Sequence, residues 1–262
     1  MSDLLHTIEK VPKDKHLIIF DVDGTLTKSK TPVESEMALL FTQLLEKHKA
    51  AIIGGASFEQ FQIQFLNKLP NQSAISENLF AMPLDGGAFY QNKEGKWQKV
   101  YQKDFSPEEK AKVFKAFELA FKDTGYLRSY HTYGEQIEDR GSVIAFSALG
   151  QHAPLEEKNE WLLNHPTTRA GLVLKLREYL PEMEVQEAGI TSIDVTLGGV
   201  DKKFGIEQLL SYLKMAPSDA LFIGDDFKSD GNDFPATESG VMCFQVTSPD
   251  QTKELIKYLL AK

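Results

Sequence analysis

The run FDVDGT places two carboxylates, Asp21 and Asp23, one residue apart at the end of an apolar stretch, LIIF, and directly before a glycine. Side chains alternate across a strand, so an extended backbone would send both acids to one side. Two like charges so close need a job. Phosphoryl transfer offers one: a carboxylate attacks phosphorus to form an aspartyl-phosphate, while a second acid protonates the leaving oxygen and later takes a proton from the acceptor. Alone, a D-x-D before a turn is more often a turn or a helix cap. A calcium loop fails on spacing, because counting from Asp21 puts Leu26 where the sharp-turn glycine belongs and Pro32 where the bidentate glutamate belongs.

A second acidic run, GDDFKSDGND, follows the apolar ALFI and carries Asp225, Asp226, Asp230, Asn232 and Asp233. Such a rim needs a cation among its carboxylates. Mg²⁺ suits it, being held by few hard oxygen donors while water and phosphate fill its remaining positions. Asp21, Asp23, Asp225, Asp226 and Asp233 are the candidate ligands. Positive charge for the transferring group would come from Lys202, at the head of a helix in DKKFG, with amide and hydroxyl donors from GGAS, notably Gly55 and Ser57. A lysine is ordinarily a solvated surface residue, and only the company of the acidic motifs raises Lys202 above that.

All four fragments fall where strands of a parallel sheet would end, which is where open α/β sheets bind ligands. Short apolar runs (LIIF, AAII, NLFAMPL, ALFIG, VMCFQV) separated by amphipathic stretches imply crossover units. Ile206, Leu209, Leu210 and Leu213 mark one helix face. The middle of the chain reads differently: a hairpin turning around Asn92 to Gly95, a helix opened by a capping box at Ser106, Pro107 and Glu109 and closed near Gly125, a hairpin turning near Asp139 to Ser142, further helices, and the strand-like MEVQEA and TSIDVTL. The expected architecture is a doubly wound α/β core formed by residues 1–90 and 198–262, with an inserted α+β cap at 91–197 and the site between them.

The 262 residues, 42% of them hydrophobic, suffice for a core and a smaller insert. A net charge of −9 argues against nucleic acid as a partner. Neither a targeting leader nor a long apolar span is evident, so a cytoplasmic protein acting on a small ligand is expected. The single cysteine, Cys243, lies in an apolar run and reads as a buried small hydrophobe.

At these residues the chain resembles the haloacid dehalogenase superfamily of phosphotransferases, whose D-x-D-G-T, hydroxyl segment, lysine and G-D-D motifs stand here in order. The resemblance implies that Asp21 is the nucleophile and Asp23 the acid/base, and that Asp21, the Val22 carbonyl and Asp225 hold Mg²⁺. The insertion resembles the large cap of the subclass that includes sugar-phosphate phosphatases and eukaryotic-type phosphomannomutases. FDVDGTLT, IIGGASFEQFQIQ, QIEDRG, ITSIDVTLGGVDKKF and FIGDDFKSDGND each resemble a phosphomannomutase segment, in the same order.

That likeness implies a hexose phosphate substrate gripped by cap residues Arg140, Ser192 and Asp194, and a homodimer through the cap. Where the family pattern has further arginines this chain has Lys30, Gln151 and Lys158. Lysine is a point charge and glutamine is neutral, whereas arginine grips phosphate with a planar fork. A mutase needs a second phosphate site and a phosphatase does not. The expectation is therefore hydrolysis of a sugar phosphate, with Lys158 and Arg140 as cap contacts, and mutase activity through a hexose 1,6-bisphosphate as the alternative. A phospho-accepting receiver would need no cap, and a silent scaffold would not need intact D-x-D and GDD motifs.

Overall fold

Residues 4–28, 31–70, 77–129, 131–229 and 231–261 are described by the structure, a computed structural model. Among them, eight strands form one sheet in the order β1 (Leu4–Leu5), β12 (Met242–Gln245), β11 (Ala220–Gly224), β2 (Leu17–Asp21), β3 (Lys49–Gly54), β4 (Leu79–Pro83), β5 (Ala88–Lys93) and β6 (Lys96–Gln102). Pairing is parallel from β1 to β4 and antiparallel from β4 to β6. The strands β11, β2, β3 and β4 are buried at every position apart from Lys49, the continuous apolar pattern of a sheet covered on both faces.

The two faces take alternate residues. Ile18, Phe20, Ile52 and Ile223 pack with α1 (Ser35–Leu45), α2 (Phe58–Gln64) and α7 (Pro249–Leu260). Leu17, Ile19, Ile53 and Phe222 pack instead with Ile206, Leu209 and Leu210 of α6 (Lys202–Leu213). The chain steps from β2 to β3 and β4 in one direction and later fills the other side of β2 with β11, so the topological switch lies at β2. Its carboxyl end carries Asp21.

The chain divides into two compact units, Met1–Gln102 with Asp201–Lys262, and Lys103–Val200. The second has its own antiparallel sheet, ordered β7 (Ile137–Asp139), β8 (Val143–Ser147), β10 (Ser192–Leu197), β9 (Met183–Ala188). Its helices are α3 (Pro107–Thr124), α4 (Leu155–Asn164) and α5 (Thr168–Tyr179). Ile144, Phe146, Ile193 and Val195 of this sheet bury against Phe117 and Phe121 of α3 and Leu172 and Leu176 of α5. The capping box is present as the sequence indicates: Ser106 Oγ accepts from Glu109 N, Glu109 Oε2 accepts from Ser106 N, and Gly125 ends the helix at φ +67°.

One expectation is corrected. The hairpin turning at Asn92 to Gly95 belongs to the eight-stranded sheet, not to the insert, because β5 pairs with β4 through Phe80↔Gln91 and Ala81↔Tyr90. Phe58 stacks on Tyr90 at 3.8 Å between ring centroids and fastens the hairpin to α2. No helix of the described residues is long and apolar enough to cross a membrane.

Candidate active site

Asp21 is the last residue of β2 and is buried. Lys202, the first residue of α6, reaches it with Nζ 2.6 Å from Asp21 Oδ1 and 2.5 Å from Asp233 Oδ1. The lysine can come so deep because α6 docks backbone to backbone: a Cβ on Gly205 would lie 2.8 Å from Gly86 Cα, and one on Gly86 2.5 Å from Gly205 Cα. Asp201 starts the helix by accepting from Phe204 N at 2.9 Å. Asp233 uses its other oxygen to accept the amides of Asp225 and Asp226, at 2.9 and 3.0 Å. It thereby locks the loop after β11. Asp225 also accepts from Thr25 Oγ1 at 3.3 Å, and a Cβ on Gly24 (φ +86°) would lie 2.4 Å from its Oδ2. Only glycine fits that turn, both for its left-handed backbone and for the carboxylate pressed against it.

The electrostatics are unbalanced. Burial drives the carboxyls of Asp21 and Asp225 above the ordinary carboxylate range, Asp233 adds to the rise in both, and Lys202 only opposes it. Burial works against the Lys202 ammonium too, but Asp21, Asp233 and Asp85 outweigh it and raise its pKa. A site that penalises its own carboxylates in this way suits a further cation. Asp21, Asp225 and Asp233 each offer an oxygen within 4.8 Å of the others, an all-oxygen set that fits Mg²⁺. Asp233 is already committed to Lys202 and two amides.

Three expected ligands fall outside this set. The Val22 carbonyl accepts the amides of Leu26 and Thr27, both at 2.9 Å, and the Thr27 hydroxyl at 3.4 Å, so its hydrogen bonds are made inside the turn. Asp23 is held by Gln64, whose Nε2 donates to Asp23 Oδ1 at 2.8 Å. The space that a Cβ on Gly231 would need is taken by the Asp226 carboxyl, its Oδ1 2.6 Å away, so that acid turns into its own loop. Ser57 Oγ caps α2 by accepting from Gln60 N at 3.3 Å. Gly55 is exposed at the end of β3, and its lack of a side chain admits Asp85 Oδ2, 3.1 Å from where a Cβ would be. Lys30 and Asp230 lie outside the described residues.

Within the second unit the other candidates gather. Arg140 Nε donates to Glu138 Oε2 at 2.7 Å, and its Nη2 donates to Gln151 Oε1 at 2.9 Å. Gln151 Nε2 donates to Ala145 O, and Lys158 Nζ donates to Gln151 O, each at 3.4 Å. Ala145 stands opposite both Glu138 and Asp194 in the sheet, and Ser192 shares the face of Asp194 two residues on. Arg140 and Lys158 thus meet at Gln151, while Asp194 and Ser192 share a sheet face with Ala145.

A family model described as eukaryotic phosphomannomutase matches residues 37–262. The chain belongs to the eukaryotic phosphomannomutase family. The phosphomannomutase of Dendrobium officinale is 29% identical over 252 residues, covering 94% of this chain and 95% of that protein. The Saccharomyces cerevisiae phosphomannomutase is 27% identical over 253 residues, with coverages of 94% and 95%. Among solved structures, N-terminally truncated Plasmodium falciparum IMP-nucleotidase superposes with a TM-score of 0.69 at 22% identity, over 96% of this chain and 72% of that one. Aspergillus fumigatus trehalose-6-phosphate phosphatase gives 0.59 at 17% identity, over 94% and 93%. These likenesses are to the fold, a haloacid dehalogenase α/β core with an antiparallel-sheet insert.

In this phosphomannomutase family member three further residues shape the site. Thr25 on Asp225 and Gln64 on Asp23 are polar residues whose partners lie 200 and 41 positions away, a relation no local pattern reveals. Asp85 sits in PLDGG, an ordinary turn by composition. Yet its Oδ1 is buried without a hydrogen-bond partner, and it follows Leu84 in a pair of left-handed residues at φ +58° and +50°.

Proposed function

We propose that this chain is a Mg²⁺-dependent hexose-phosphate phosphomutase that passes a phosphoryl group through Asp21. The set of buried Lys202, Asp21 and Asp233 with half-buried Asp225 at the switch point, in a chain of the phosphomannomutase family, carries the reading. Asp21 attacks phosphorus in line with the leaving oxygen, and Asp23 protonates that oxygen as the bond to phosphorus breaks. The acyl phosphate on Asp21 is then attacked by the acceptor hydroxyl, whose proton Asp23 takes. Lys202 neutralises Asp21 before attack and balances charge on the transferring group. Asp21 and Asp225 would hold Mg²⁺, which when bound supplies charge neutralisation for phosphoryl oxygens. Arg140, Lys158, Ser192 and Asp194 are the proposed contacts to the rest of the substrate.

Family membership supports return of the phosphoryl group to a sugar over transfer to water, the reverse of the preference drawn from the missing arginines. One observation favours the hydrolytic reading: Glu138 and Gln151 occupy the Arg140 guanidinium, leaving that neighbourhood less able to hold a second phosphate. A ³¹P NMR time course with mannose 1-phosphate, Mg²⁺ and a trace of hexose 1,6-bisphosphate separates them. The 6-phosphate is expected, and Asp21→Asn should abolish its formation. Inorganic phosphate as the sole product would transfer the assignment to a phosphatase.

A further inference from the structure

Arg140 is fixed by the turn that carries it. Asp139 Oδ1 accepts the Gly141 amide at 2.9 Å, Asp139 Oδ2 lies 2.8 Å from Lys110 Nζ of α3, and Arg140 N donates to Val143 O at 2.9 Å. Glu138 stands two residues back on β7, so its side chain leaves on the same side as that of Arg140. The two meet: Arg140 Nε donates to Glu138 Oε2 at 2.7 Å, and Arg140 Nη2 donates to Gln151 Oε1 at 2.9 Å.

A guanidinium has two edges that grip an anion with parallel hydrogen bonds, Nε with Nη2 and Nη1 with Nη2. Here the first edge is divided between two acceptors, a carboxylate on Nε and a neutral amide on Nη2. Gln151 is itself tied down, its Nε2 donating to Ala145 O and its backbone carbonyl accepting from Lys158 Nζ, both at 3.4 Å. A phosphate approaching Arg140 therefore meets one edge, with the Glu138 carboxylate beside it. The side chains of Arg140 and Glu138 are 38% and 41% exposed, so water can replace either partner and the pair opens at small cost.

We propose that Glu138 is a specificity-determining residue: an exchangeable anion that occupies the Nε side of Arg140 and gives way to the far phosphate of a hexose bisphosphate. This rests on the reading of Arg140 as a contact to the part of the substrate remote from Asp21. A mutase must let the same bisphosphate go and take it again the other way round. A grip that a neighbouring carboxylate can reclaim suits that task better than a permanent one. Glu138 exchanges one ion pair for another and forms or breaks no covalent bond.

The test measures KM for hexose 1,6-bisphosphate and, as a reference without a far phosphate, for dinitrophenyl phosphate. Glu138→Gln keeps the length and removes the charge. It should lower KM for the bisphosphate about two- to fivefold, the range of an exposed ion pair, and leave that for dinitrophenyl phosphate unchanged. Glu138→Ser supplies a second neutral variant should the glutamine variant fold poorly. In an Arg140→Ala background either substitution should lose its gain, because competition for the guanidinium is the cause. No gain on removing Glu138 overturns the proposal while Arg140→Ala still weakens the bisphosphate selectively. A gain that persists without Arg140 overturns it too, since Glu138 would then repel phosphate directly. If the wild-type enzyme does not use the bisphosphate, or Arg140→Ala does not weaken it, the reading of Arg140 falls and the inference with it.

Discussion

Lys202 and Asp21 are 181 positions apart in the chain and 2.6 Å apart in space. The lysine side chain is wholly buried, and its second partner, Asp233, is buried with it. One ammonium therefore serves two carboxylates, one that is to react and one that organises the loop after β11. Burying charges costs energy that the pairing must offset, and removing one partner of such a group costs about 3–5 kcal/mol.

Lys202→Met should accordingly be more than an activity variant. Denaturant unfolding of the metal-free protein is expected to show a loss of about 3–5 kcal/mol, and turnover should fall at least about a hundredfold, or roughly 2.7 kcal/mol of barrier. Full stability with lost turnover would mean that the pairing does no more than offset the cost of burying the lysine.

Gly205→Ala sets two effects against each other. Helix propensity favours alanine by about 1 kcal/mol. The added methyl, however, would stand 2.8 Å from Gly86 Cα and 2.8 Å from Ile53 Cδ1, one of them backbone that cannot rotate away. Overpacking of that kind costs about 1–3 kcal/mol, so net destabilisation is expected, with a fall in turnover because α6 carries Lys202. A thermal melt and a rate measurement decide the sign.

Asp85→Asn tests a buried acid through pH. Burial raises the Asp85 carboxyl above its ordinary value of 3.8, with Lys202 opposing. A raised acid stabilises the fold below its unfolded pKa and loses that contribution as pH climbs through the folded one. Asparagine stays neutral and tolerates the left-handed backbone. The melting midpoint of Asp85→Asn minus that of wild type should widen from about pH 4 to about pH 8, by about 2–4 °C for each kcal/mol. A flat or narrowing gap would place the ionised form at ease in the fold.

Arg140→Ala and Gln151→Arg probe recognition from opposite sides. The first should depress kcat/KM for a sugar phosphate by about tenfold or more, in line with a charge-assisted hydrogen bond of about 1.5–3 kcal/mol, and spare dinitrophenyl phosphate. The second adds a guanidinium beside Arg140 and should lower the KM for hexose 1,6-bisphosphate by a similar factor. Parallel changes on the small ester would remove both residues from substrate recognition.

The parts of the molecule that the sequence announces are those written in consecutive letters. Strand-end acids, the capping box at Ser106 and the alternating apolar runs are local; they point to the α/β core and to Asp21, Asp225, Asp233 and Lys202, whose side chains the fold brings together. What depended on distant partners was less legible. The β5–β6 hairpin looks the same whether it joins the insert or the core, since only its pairing with β4 decides. A carbonyl's partners leave no trace in side-chain identity, and at Val22 they are the amides of Leu26 and Thr27. Nothing local marks the reach of Gln64 to Asp23 or the burial of Asp85.

The chain rejoins the eight-stranded unit at Asp201, one peptide bond before Lys202. Asp201 caps α6, and one turn later Gly205 meets Gly86. The pitch and depth of the lysine are thus specified on its own side of the join. Asp201 therefore works as a seam: a change of length in the segment before it would leave untouched the contacts that set Lys202.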